Sequence, residues 1–131
     1  MKTVQPEGWP RPSGYSNGLI ARGRVLAVAG QIGWNERGEF SSDDLVEQSA
    51  QALRNVLAVV HAAGGSATDV IRLTWYITDK DAYRAAAAQL GRVYRELFGA
   101  HYPAMTLVQV AALLEDRARV EIEATAVLAD D

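Results

Sequence analysis

From Arg119 to Leu128 the chain alternates with the period of a β-strand. Val120, Ile122, Ala124, Ala126 and Leu128 fall on one face, and Arg119, Glu121, Glu123 and Thr125 on the other. Such a strand needs one dry face and tolerates carboxylates only on the opposite one, so it belongs to a sheet that is covered unevenly. Only two segments have the spacing of helices that could cover it. The first runs from about Asp43 to Ala63, with Leu45, Ser49, Ala52, Val56 and Val59/Val60 at helical intervals, Ser42 or Asp43 as cap, and Gly64-Gly65 as stop. The second runs from about Asp81 to Phe98, with Tyr83, Ala86/Ala87, Leu90, Val93/Tyr94 and Leu97 as its apolar face and Gly99 as its end.

The remaining apolar runs read as strands. Leu19-Ile20-Ala21 and Val25–Ala29 flank Arg22-Gly23-Arg24 and predict a β-hairpin, followed by a glycine-punctuated loop from Gly30 to Gly38. Val70–Thr78 is rich in β-branched and aromatic residues, and Ala104–Val110 is a further strand. The order ββαβαββ predicts an α+β sandwich with two helices packed on one face of a mixed sheet. Two helices cannot cover both faces of a five- or six-stranded sheet, so the other face is expected to be buried in an oligomer. Residues 1–14 hold three of the four prolines and predict an irregular N-terminal arm, and 131 residues suit a single domain.

Composition excludes several classes of function. The chain has no cysteine, which removes disulfides, thiol nucleophiles and thiolate metal sites. A net charge of -3 offers no basic stripe for nucleic acid. No apolar run reaches the ~20 residues of a membrane span, and Met1–Glu7 has no leader-like apolar core, so a cytoplasmic protein is expected. His61 and His101 are too far apart in sequence to argue for a metal, and no cofactor-binding fingerprint is present.

Six segments in order resemble the YjgF/RidA family of enamine/imine deaminases. They are Ser13-Gly14-Tyr15-Ser16-Asn17-Gly18, Val28-Ala29-Gly30-Gln31-Ile32, the helix from Gln48 to Gly64 with Leu53, Asn55 and Leu57, Leu73–Asp79, Tyr102–Val110 and Val120–Ala126. The resemblance spans about Ser13 to Leu128. It implies a chorismate-mutase-like fold assembled as a homotrimer, with small-molecule clefts at the subunit interfaces. Those clefts would be built from Tyr15, Gly30, Gln31, Ile32, Met105 and Leu107, with Glu121 as the catalytic acid that positions water, and the loop residue Trp34 is a further candidate beside them.

The departures from the family pattern are as informative as the matches. The family's substrate-carboxylate arginine corresponds to Met105, which offers polarisable apolar surface and no donor. The family's Ala-Arg-Leu-Pro-Lys loop is replaced by Ala111–Arg117, and its helix-two asparagine by Leu90 or Gly91. Trp34, near a position where the family often has proline, points to an aromatic or apolar ligand if it lines the cleft and to loop packing if it does not. Glu121 is either the family acid or a solvated strand glutamate paired with Arg117 or Arg119, and periodicity alone does not separate it from Glu123. Arg72, Arg117 and Arg119 are candidates to replace the missing arginine. Two functions therefore stand side by side: a hydrolase or deaminase acting on an altered enamine or imine, and a non-catalytic or regulatory protein that binds a small, aromatic metabolite.

Overall fold

The computed structural model describes residues 1–130. The central sheet has four strands: β3 (Arg24–Ile32), β4 (Val70–Ile77), β5 (Ala104–Gln109) and β6 (Val120–Leu128). Their spatial order is β3-β6-β4-β5. β6 runs antiparallel to both neighbours and β4 and β5 run parallel, so this is a mixed sheet. A separate antiparallel pair is formed by β1 (Lys2–Val4) and β2 (Gly18–Ile20). The helices are α1 (Leu45–Ala62), α2 (Lys80–Ala85) and α3 (Ala87–Phe98). None of the helices among the described residues is long and apolar enough to cross a membrane.

Helix α1 forms where its periodicity predicts. Leu45, Gln48, Ser49, Ala52, Leu53, Val56, Leu57 and Val60 are buried, three or four residues apart. Its cap is Asp44, one residue beyond the expected Ser42 or Asp43, and the Asp44 carboxylate accepts from the Glu47 N–H at 3.0 Å. This helix lies on β3 and β6, and α3 packs beside it. The buried core joins α1 to Val28, Val70, Leu73, Trp75, Ile77, Val120, Ile122, Ala124, Ala126 and Leu128. The alternation of the last strand is thus used as expected, with its apolar face toward the helices.

Four local expectations are corrected. β2 pairs with β1 and not with β3, although β3 is an edge strand, and Gly23, at φ +148°, turns the chain tightly against the Leu128 carbonyl between them. The N-terminal arm is irregular only after its first residues, since β2 offers Lys2–Val4 a free edge. β3 does not end at Ala29 but continues to Ile32 through a register shift between Val28 and Gln31. The second helix is two helices, interrupted at Ala86. The alanine tract has no side chains long enough to anchor it, and it yields between Tyr83, which meets Trp75 edge-on at 6.1 Å, and the buried Leu90, Tyr94 and Phe98.

The sheet face away from the helices carries Val25, Ala27, Thr74, Tyr76, Thr106, Val108, Glu121, Glu123 and Thr125, all exposed or half-buried. No other element among the described residues covers it.

Candidate functional site

Strand pairing decides which residues can share a cleft. Met105 is registered with Leu73 and Leu107 with Trp75, so both point to the helix side of the sheet. Glu121 is registered with Tyr76. Residues 73 and 76 are an odd number of positions apart on β4, so Met105 and Glu121 lie on opposite faces. The residues expected to share one cleft are therefore divided, within one chain, between two candidate half-sites on opposite faces of the sheet.

The helix-side half-site is a pocket of about 470 Å³. Its floor is β-sheet, from Trp75, Met105 and Leu107, and its wall is helix, from Tyr83, Leu90, Gly91, Tyr94 and Arg95. Tyr15 closes one side because its neighbour Ser16 is tied to the start of β5. The Ser16 N–H donates to Pro103 O at 3.0 Å and its hydroxyl to Tyr102 O at 2.6 Å. Tyr94 stacks on Phe98 at 4.8 Å and on Tyr102 at 5.7 Å, and its hydroxyl donates to the His101 carbonyl. Burial raises the Tyr83 phenol above its ordinary pKa, and burial together with the nearby Tyr102 raises that of Tyr94, so both are neutral at physiological pH. His101 faces away from this chemistry, with Nε2 donating to the Val70 carbonyl at 2.6 Å.

The open-face half-site is acidic. The Glu121 carboxylate lies against Gly30 so closely that a β-carbon there would be 2.1 Å from Oε2. Gln31 turns its amide back to the Ala29 carbonyl at 3.0 Å. The two glutamates of β6 differ in their partners. Glu123 accepts a hydrogen bond from the Tyr76 hydroxyl at 2.6 Å. That bond, with burial and the two glutamate charges, raises the Tyr76 phenol despite a lowering contribution from Arg72. Glu121 has no hydrogen bond or ion pair among the described residues, including to Arg117, which binds Asp43 at 2.9 Å.

The structure thus brings Tyr15, Met105 and Leu107 together and, separately, Gly30 and Glu121. In the β3–β6 register Ile32 lies opposite Glu121 and Gln31 opposite Ile122, and Trp34 belongs to neither group. Ile32 is buried, and the carbonyls of Ile32 and Trp34 accept from Asn55 Nδ2, at 3.0 and 2.8 Å. The Trp34 ring packs on Phe40 at 5.9 Å, with the Arg117 guanidinium 5.3 Å over the far ring. Sequence reasoning missed Trp75, Tyr83, Tyr94, Tyr102 and Arg95. The spacing of Tyr83, Leu90 and Tyr94 marks one helix face, but not which strand that face meets. Among the described residues no group of three acidic or histidine side chains is placed to hold a metal.

The endoribonuclease L-PSP family profile matches residues 10–128, and the chain belongs to that family, also called YjgF/RidA. A crystal structure of a Rid family protein of unknown function from Yersinia pestis superimposes with a TM-score of 0.85 at 34% identity, over 97% of this chain and 98% of that one. Escherichia coli TdcF, solved with bound serine, superimposes with a TM-score of 0.70 at 34% identity, over 98% and 100% of the two chains. The human 2-iminobutanoate/2-iminopropanoate deaminase is 32% identical over 114 residues, 86% of this chain and 79% of the human one.

Proposed function

We propose that the protein is a Rid-type hydrolase that converts an enamine- or imine-type metabolite to the corresponding carbonyl compound and ammonia. Its working form is a homotrimer in which the Met105 pocket of one subunit is completed by Gly30 and Glu121 of the next. The observation that carries this reading is the placement of Met105 and Glu121 on opposite sheet faces. One chain cannot offer both to one substrate, whereas a second copy docked by its open face can. The human relative's name supports imine chemistry, and the serine bound to TdcF supports a small amino-acid-like ligand in this fold.

Glu121, without a hydrogen bond or ion pair among the described residues, would accept a proton from water as that water attacks the imine carbon. The nitrogen takes up that proton from Glu121 and a second one from the new hydroxyl, the C–N bond breaks, ammonia leaves, and the oxygen of water remains as the new carbonyl. Met105 supplies shape and apolar contact at the place where the family motif has arginine.

The test is ammonia release from 2-iminobutanoate generated in place by an amino acid oxidase. Wild type is expected to accelerate it, and Glu121→Gln to lose at least about a hundredfold of that activity. The absence of a donor at Met105 favours a second reading, a binding protein without turnover. That reading takes over if wild type shows no acceleration on small or bulky imines.

A further inference from the structure

Arg95 is the only charged side chain lining the Met105 pocket among the described residues. It comes from α3, a part of the chain with no counterpart in the β5 position that the family motif uses. One turn before it stands Gly91, and a β-carbon there would be 3.2 Å from Arg95 Nη1. The guanidinium therefore lies along the helix surface at Gly91, on the pocket wall. It makes no ion pair or side-chain hydrogen bond among the described residues, whereas Arg37 and Arg117 are paired with Glu39 and Asp43. The other candidate arginines do not line this pocket: Arg72 faces the open side of the sheet, Arg117 is ion-paired, and Arg119 lines separate grooves.

Apart from Ser13, the rest of the pocket is apolar and aromatic. Trp75, at 3% exposure, forms the floor, and its indole N–H has no acceptor among the described residues. Arg95 is exposed, so the positive charge stands at the mouth and the apolar surface lies beneath it. One cation over such a pocket matches a monoanion with a large apolar body. A phosphate dianion would ask for a second positive charge, which the lining among the described residues does not offer. A volume of about 470 Å³ would be poorly filled by a side chain of two carbons.

The geometry points to Arg95 as the carboxylate clamp of this pocket, selecting 2-imino or 2-oxo acids whose side chain is aromatic or comparably large and lies against Met105 and Leu107. This rests on the pocket being the substrate half-site proposed above. A carboxylate held at the mouth leaves the adjacent imine carbon facing outward, toward the Glu121 that a second copy would bring.

Calorimetric binding of phenylpyruvate tests this without requiring turnover. Wild type is expected to bind phenylpyruvate at least about tenfold more tightly than 2-oxobutanoate or phenylacetone, which lack the ring and the carboxylate respectively. Arg95→Gln, at an exposed helical position, should weaken phenylpyruvate about ten- to a hundredfold and leave phenylacetone unchanged. Binding of phenylpyruvate by Arg95→Gln within about twofold of wild type overturns the assignment, as does a wild-type preference for 2-oxobutanoate or no phenylpyruvate binding at all. Glu121→Gln separates the two readings. Arg95-dependent binding without imine hydrolysis by wild type sinks the hydrolase and keeps the clamp. Hydrolysis that is lost in Glu121→Gln but unchanged in Arg95→Gln does the reverse.

Discussion

At Gly30 a β-carbon would collide with Glu121, so the carboxylate rests directly on the backbone of β3. Gly30→Ala is expected to displace the acid while the fold holds, because the obstacle is the free end of a side chain. Turnover of an imine should fall about ten- to a hundredfold, with a shift in Tm below about 4 °C by calorimetry. Gly91 is a different case, since it stands inside α3, where glycine is an unfavourable helix former. Gly91→Ala should raise stability in urea titrations by about 0.5–1 kcal/mol and weaken binding of aromatic 2-oxo acids a few-fold, because Nη1 must move from a 3.2 Å contact. The choice between Glu121 and Glu123 was invisible to periodicity, which puts both on one face. It depends on the Tyr76 hydroxyl, which sits opposite Glu121 in the β4–β6 register but reaches diagonally to Glu123.

At the scale of elements, Gln48 shows how a helix holds a distant loop. Buried in α1, its amide donates to Ser42 O and Arg117 O, each at 3.0 Å, and its carbonyl accepts from Arg119 N at 2.8 Å. Gly33 packs against it so closely that a β-carbon would come within 2.6 Å of the Gln48 Cβ. Gln48→Leu leaves these backbone groups without their partner and is expected to cost about 2–4 kcal/mol in urea denaturation. The packing of α3 carries a pH signature. Tyr83 and Tyr94 have raised pKa values when folded, so the unfolded chain loses these protons first. Their contribution to stability is complete below the ordinary phenol value of ~10 and declines as pH rises beyond it. Stability followed by urea titration should therefore fall between about pH 9 and pH 11, and Tyr94→Phe should flatten that fall. The extents of α1, β4 and β6 were readable because each has a clear period. The break at Ala86 was not, because an alanine tract has no pattern that marks where packing pulls it apart.

For the whole molecule, the open sheet face is where assembly would be decided. Val25 is 73% exposed there, in line with Ala27 on β3. Val25→Glu is expected to turn a trimer into monomers by light scattering after size exclusion, with an unchanged circular dichroism spectrum and at least about tenfold lower imine turnover. A wild-type protein that is monomeric at micromolar concentration would sink the shared-site proposal. By itself the sequence determined the α+β class, the principal helix, the strand that supplies Glu121 and the family, since these rest on local periodicity and on motifs contiguous in the chain. Only the tertiary structure decided that Met105 and Glu121 lie on opposite sides of the sheet, and that Arg95 stands over the aromatic pocket. Those facts depend on the register of strands dozens of residues apart and on where α3 lies along them. Both are set by packing between segments, which no single segment encodes.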